Sequence, residues 1–137
     1  MRYFTFEELC RSNVATQKGI ANLPFVYGEY HVYHNLNTLV ERLLDPIREQ
    51  FAVPVIVTSG YRCNYINELV GGKIDSQHRT GKAVDFYFEG FDGVEMMEAF
   101  FEIGERFDFD QLIYYKKRHF IHISYNGKRN RHQSFII

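Results

Sequence analysis

No apolar run in this 137-residue chain approaches the roughly 20 residues of a membrane-spanning helix, so membrane insertion is not expected. The opening MRYFTFEELC lacks the apolar stretch of a secretory signal peptide, and synthesis in the cytoplasm without an export address is expected. Cysteine is scarce. Cys10 and Cys63 are too few for a disulfide framework and are not spaced as a metal pair, so reduced, half-buried thiols are expected. The net charge of −1 is too near zero for a nucleic-acid binder at whole-chain level. Asp and Glu are absent from Gln111 onward, where Lys116, Lys117, Arg118, Lys128, Arg129 and Arg131 fall. That stretch reads as a solvated hairpin face or as a surface attracting a polyanion. Repeats, linkers and low-complexity segments are also missing, which leaves one domain over residues 1–137.

What is present is a composition able to build a core, 45% hydrophobic and 17% aromatic. Thr5-Phe-Glu-Glu8 is a capping box, with the Thr hydroxyl accepting from the third helical N–H and the Glu reaching back; the helix should run to about Arg11. Ser12 to Asn35 shows no sustained period and contains Gly19, Pro24 and Gly28, so an irregular wrap is expected. Leu36 to Phe51 carries a helical apolar stripe, which Pro46 should kink or break into a second turn. Val53–Thr58 reads as a strand, Asn64–Val70 as a short helix closed by Gly71-Gly72, and Ala83–Phe88 as a strand. Val94–Phe107 is an amphipathic helix. Gln111–Tyr115, Phe120–Tyr125 and Ser134–Ile137 are strands, with Asn126-Gly127 as a hairpin turn. Helices first and a mostly antiparallel sheet after them predict an α+β fold.

The segment SQHRTGKAVDF, Ser76–Phe86, places an aspartate inside an apolar strand. Alternation resolves the oddity: Val84, Phe86 and Phe88 share one face, while Ala83, Asp85 and Tyr87 share the other. In FIHISY the same parity separates Ile121, Ile123 and Tyr125 from Phe120, His122 and Ser124. Neighbouring strands can therefore aim Asp85 and His122 at one point, and the preceding turn can swing His78 over it. Two imidazoles and a carboxylate suit Zn²⁺ with a position left for water. By spacing alone the pattern is unspecific, and His78 as a loop histidine with Asp85 as a cap or ion-pair partner is an alternative.

Ser76, His78, Gly81, Ala83 and Asp85 together spell S-x-H-x-x-G-x-A-x-D, which resembles the signature of the zinc D-alanyl-D-alanine carboxypeptidase family. That family includes L-alanyl-D-glutamate endopeptidases of phage lysins. TSGYRCNYINELVGGKIDSQH and FDQLIYYKKRHFIHISY resemble its flanking segments, and YFTFEELCRSNVA with LLDPIRE resembles its small phage and bacterial branch. The resemblance spans nearly the whole chain. It implies a hedgehog/D-Ala-D-Ala peptidase-like fold, a zinc site of His78, Asp85 and His122, and hydrolysis of peptidoglycan stem peptides. Arg62 would stabilise the developing oxyanion or anchor a substrate carboxylate, with a surface arginine in a turn as the alternative. Ser76 would bond substrate or brace the ligand loop, Gly81 would permit close passage or positive φ, and Gln111 would serve structure as readily as the site.

One departure stands out. Family members usually carry a Glu or Asp three residues before the last ligand or at the end of the DQLIYY strand. Here those places hold His119 and Tyr114 or Tyr115. His119 is the candidate proton shuttle, since imidazole titrates near working pH, and Tyr115 can donate a hydrogen bond to substrate; a carboxylate such as Glu89 or Asp110 would have to come from elsewhere. The expectation is thus a monomeric zinc peptidase acting at the bacterial wall after lysis, release through a pore or particle assembly. The alternative is a non-enzymatic member of the fold that binds zinc and wall peptide or serves as a phage structural component. Nucleic-acid binding through the basic stretch lacks a reading motif.

Overall fold

In the computed structural model, which describes all 137 residues, Thr5 caps helix α1 (Phe6–Cys10) by accepting from Glu8 N at 3.1 Å. The Glu8 carboxylate takes the Thr5 hydroxyl at 3.4 Å rather than the backbone N–H, so only half of the expected box forms. Ser12 to Asn35 is more regular than its sequence suggests. It holds helix α2 (Asn13–Lys18), a 3₁₀ turn (Pro24–Tyr27) and the start of helix α3 (His31–Leu39). α2 buries only Ala15, so it leaves no apolar period to read. In α3 the stripe of Val32, Leu36 and Leu39 begins among polar residues that mask it.

Pro46 acts as its chemistry dictates. A π-helical turn (Val40–Leu44) precedes it, with Asp45 N donating to Val40 O, and Pro46 falls in the first turn of helix α4 (Asp45–Phe51). The widened turn removes the clash between the pyrrolidine ring and a preceding carbonyl, so the helix continues across the proline. Strand β1 (Val55–Ser59) and helix α5 (Asn64–Leu69) lead to a 3₁₀ turn (Gln77–Thr80) and strand β2 (Ala83–Phe88). Helix α6 (Gly93–Arg106) opens on a complete capping box, Asp92 with Glu95, and strands β3 (Gln111–Tyr115), β4 (Phe120–Ser124) and β5 (Gln133–Ile136) complete the chain.

The strands order as β1-β2-β4-β3-β5, antiparallel except for the parallel pair β3/β5. The α+β expectation holds. The Asn126-Gly127 hairpin does not: Gly127–Arg129 is a 3₁₀ turn, and the chain passes the end of β3 to reach its far side. A two-residue turn would have paired β5 with β4, whose two edges are already occupied by β2 and β3. The path is fixed by Asp110, whose carboxylate accepts from Arg131 N at 2.8 Å and whose carbonyl accepts from Gln133 N at 3.0 Å.

One face of the sheet packs on the helices. Val84, Phe86 and Phe88 of β2, with Ile121 and Ile123 of β4, meet Leu36, Leu39, Leu43 and Ile47 from the helical layer in one continuous core. Each such buried Leu, Ile or Phe contributes about 1.5–3 kcal/mol. Cys10 and Cys63 are free but fully buried, not half-buried, and burial pushes the Cys10 thiol up to about 11. The other face of the sheet is left to the site.

Candidate metal centre

Register, which alternation alone cannot supply, brings the candidate ligands together. Asp85 pairs with Ser59 of β1 on one side and directly with His122 of β4 on the other. His78 rides on the 3₁₀ turn, which Ser76 opens by accepting from His78 N at 3.3 Å and Gly81 closes at φ +76°. His78 Nε2 lies 3.3 Å and His122 Nδ1 2.8 Å from Asp85 Oδ1, and the two imidazole centroids are 5.2 Å apart. One ligand atom from each residue falls within 4.8 Å of the others.

These donors fit a divalent cation. His78 Nδ1 is 2.7 Å from the Gly60 carbonyl, which can only accept, so the ring proton sits on Nδ1. In the neutral ring Nε2 therefore presents its lone pair towards a carboxylate oxygen. Two acceptors facing each other need a positive charge between them. The outer hydrogen bond to a backbone carbonyl is the usual way of orienting a metal-bound histidine. With metal–ligand bonds of about 2.0–2.1 Å, donors in a tetrahedral N/O site sit about 3.3 Å apart, close to the His78–Asp85 spacing. Burial raises the Asp85 pKa, but the electrostatic pull of the neighbouring His78 and His122 side chains reverses this and holds it well below the usual carboxylate range.

Around the centre opens a cleft of about 1060 Å³. Arg62 reaches in from the segment after β1, with Nη2 3.6 Å from Asp85 Oδ2 and its side chain 17% exposed. Its Nε bonds Ser59 Oγ at 3.2 Å and its backbone N–H bonds the His78 carbonyl at 3.0 Å, so it is locked to the ligand turn. Burial lowers the Arg62 pKa, against the opposing pull of Asp85 and then Tyr115. Tyr115 lines the cleft from β3 and stacks on Phe120 at 4.5 Å. His119 also lines it, from the β3–β4 turn at φ 56°, with its ring 6.3 Å from that of Tyr87. Gln111 is in the lining and bonds Gln133 at 3.2 Å. Of the basic C-terminal residues only Arg118 and Arg131 reach the cleft. Arg118 covers the Phe120 ring at 5.4 Å.

Sequence reading missed two carboxylates that matter here, Asp75 and Glu29, and left open a third, Asp110. Asp75, three residues before His78, lines the cleft without an ion-pair or hydrogen-bond partner. Asp110 is also in the lining, but Arg131 and Gln77 occupy both its oxygens, which removes it as a free base. Glu29 bonds Arg79 and the Tyr61 hydroxyl. Asp75 was legible as an acidic neighbour of His78; Glu29 had no local signal, and the sequence could not show that Asp110 is already paired.

No match to the chain is found among curated proteins. The sequence model of the family Peptidase M15 matches residues 2–124, all three candidate ligands included, and the chain belongs to that family.

Proposed function

We propose that this chain is a zinc-dependent peptidase that hydrolyses peptidoglycan stem peptides, as a D-Ala-D-Ala carboxypeptidase or a related endopeptidase. The observation that carries the reading is the convergence of His78, Asp85 and His122 beside the Arg62 guanidinium on the floor of an open cleft. His78, Asp85 and His122 would hold a zinc ion, which would supply Lewis acidity toward a water and a scissile carbonyl. Arg62 binds the oxygen on which negative charge develops, or a substrate carboxylate. Tyr115 donates a hydrogen bond to substrate, and Ser76 holds the ligand turn in place. His119 takes a proton and returns it to the leaving amine, a task within reach of imidazole near neutral pH. Asp75 is the carboxylate available for the same task.

The chain acts as a monomer at the bacterial cell wall, reached after lysis, through a pore or by assembly into a particle. Incubation of the zinc-loaded protein with purified muropeptides, followed by mass spectrometry, tests the proposal: release of D-alanine or of a cut stem peptide is expected. Zinc bound without any product would turn the assignment to a second reading, a binding module of the same fold. That reading is favoured by Tyr115 and His119 standing where relatives carry carboxylates, and saturable peptide binding without turnover is its signature.

A further inference from the structure

The turn that carries His78 is four residues of 3₁₀ helix, Gln77–Thr80, a conformation with poor hydrogen-bond geometry and little stiffness of its own. Both neighbours of His78 are nevertheless tied to carboxylates from distant parts of the chain. On the N-terminal side, Gln77 Nε2 donates to Asp110 Oδ2 at 2.8 Å across 33 residues of sequence. On the C-terminal side, Arg79 Nη2 donates to Glu29 Oε2 at 2.9 Å across 50 residues. Arg79 Nη1 also donates to the Arg62 carbonyl at 2.7 Å, joining the turn to the segment that carries the guanidinium of the site.

Each carboxylate is itself held. Asp110 has no exposed surface and accepts from Arg131 Nε at 2.9 Å, from Arg131 Nη2 at 2.8 Å and from its backbone N–H at 2.8 Å. Glu29 accepts from the Tyr61 hydroxyl, and the Tyr61 backbone N–H bonds Leu9 O at 2.8 Å, so the clasp is anchored to the N-terminal helix. Buried charges are poor stabilisers, because desolvation offsets most of their mutual attraction. What a doubly held carboxylate does provide is direction. Here both directions converge on the two residues that flank one imidazole.

We infer that Glu29 and Asp110 are positioning residues that set the His78 imidazole, through Arg79 and Gln77, and thereby the metal affinity of the centre. This rests on the reading of the centre as a metal site. Partners bonded directly to a metal ligand typically govern 10–100-fold in affinity; Glu29 and Asp110 act one residue removed from His78, so a loss near the lower end, about 10-fold, is expected on removing either carboxylate.

The experiment is a competition titration of the full chain with zinc against a chromophoric chelator, for wild type, Glu29→Ala, Asp110→Ala and Gln77→Leu. Circular dichroism and thermal melts are run on the same samples. The expected result is zinc binding weaker by about 10-fold in Glu29→Ala and Asp110→Ala, with a smaller loss in Gln77→Leu, while the folds remain wild-type. A lower melting temperature with an unchanged zinc Kd would overturn the inference, because it is what a merely structural ion pair predicts. If either carboxylate variant fails to fold, Gln77→Leu decides, since it leaves the Asp110–Arg131 pair intact; an unchanged Kd there sinks the clasp. Tight zinc binding by wild type, weakened in the variants but without peptide cleavage, supports the clasp and removes only the hydrolase. Wild type that takes up no zinc overturns both.

Discussion

Replacing Gly81 by alanine probes the packing of α3 against the ligand turn. Gly81 ends the ligand turn at φ +76°, and a Cβ there would meet Val32 O at 2.8 Å, Val32 Cγ1 at 2.9 Å and Leu36 Cγ at 3.1 Å. Two costs follow. The left-handed backbone costs an L residue about 1–2 kcal/mol, of which about 0.4–1 kcal/mol is offset by the lower entropy of the unfolded alanine chain. Overpacking against a backbone oxygen of α3 and two buried side chains adds about 1–3 kcal/mol, since neither helix nor turn can yield freely. The total, about 1–4.5 kcal/mol, is a substantial share of the 5–15 kcal/mol typical of a domain. Gly19→Ala is the control: its φ is +67° with nothing within 4 Å of the added Cβ, so it carries the strain without the clash. Equilibrium unfolding in urea with a chelator present should place the Gly81→Ala midpoint about 0.5–2 M below wild type, for a slope of about 2 kcal/mol/M. Gly19→Ala should fall clearly less. Equal losses in the two variants would refute the claim that α3 is pressed against the ligand turn.

Removing Asp85 by substitution with alanine should abolish stoichiometric zinc binding, read by atomic absorption after dialysis, because two imidazoles alone leave the site without its anionic donor. Arg62→Ala should lower kcat on a muropeptide by about 10²–10³-fold, the usual cost of one oxyanion partner; a change confined to KM would assign Arg62 to ground-state binding instead. His119→Ala and Asp75→Asn separate the two candidate proton carriers, since the true one should cost about 10²–10⁴-fold and the other little. Asp110 offers a pH test. Hydrogen bonding to Arg131 holds its carboxyl down to about 2, from an ordinary 3.8. A lowered pKa contributes stability that is complete above the unfolded value and disappears as pH falls through the folded one. Wild type should therefore lose stability between about pH 4 and 2 more steeply than Asp110→Asn, as followed by urea midpoints.

Much of this molecule is written in local pattern. Alternation in AVDFYF and FIHISY is enough to send Val84, Phe86, Ile121 and Ile123 to the core and Asp85 and His122 to the opposite face, because successive strand residues point in opposite directions. The caps of α1 and α6 and the disturbance at Pro46 are likewise consequences of nearest neighbours. The signature around His78 and Asp85 is itself a local pattern, and it lies within the residues that match the Peptidase M15 family. Other features are decided only when distant segments meet. The pairing of Asp85 with His122 depends on strand register, the parallel seat of β5 on the order of the sheet, and the hold on Gln77 and Arg79 on residues 33 and 50 positions away. A carboxylate in a loop looks the same in sequence whether it faces water or grips an arginine. Its role is set by the dielectric and the partners that folding places around it, and those belong to the tertiary structure alone.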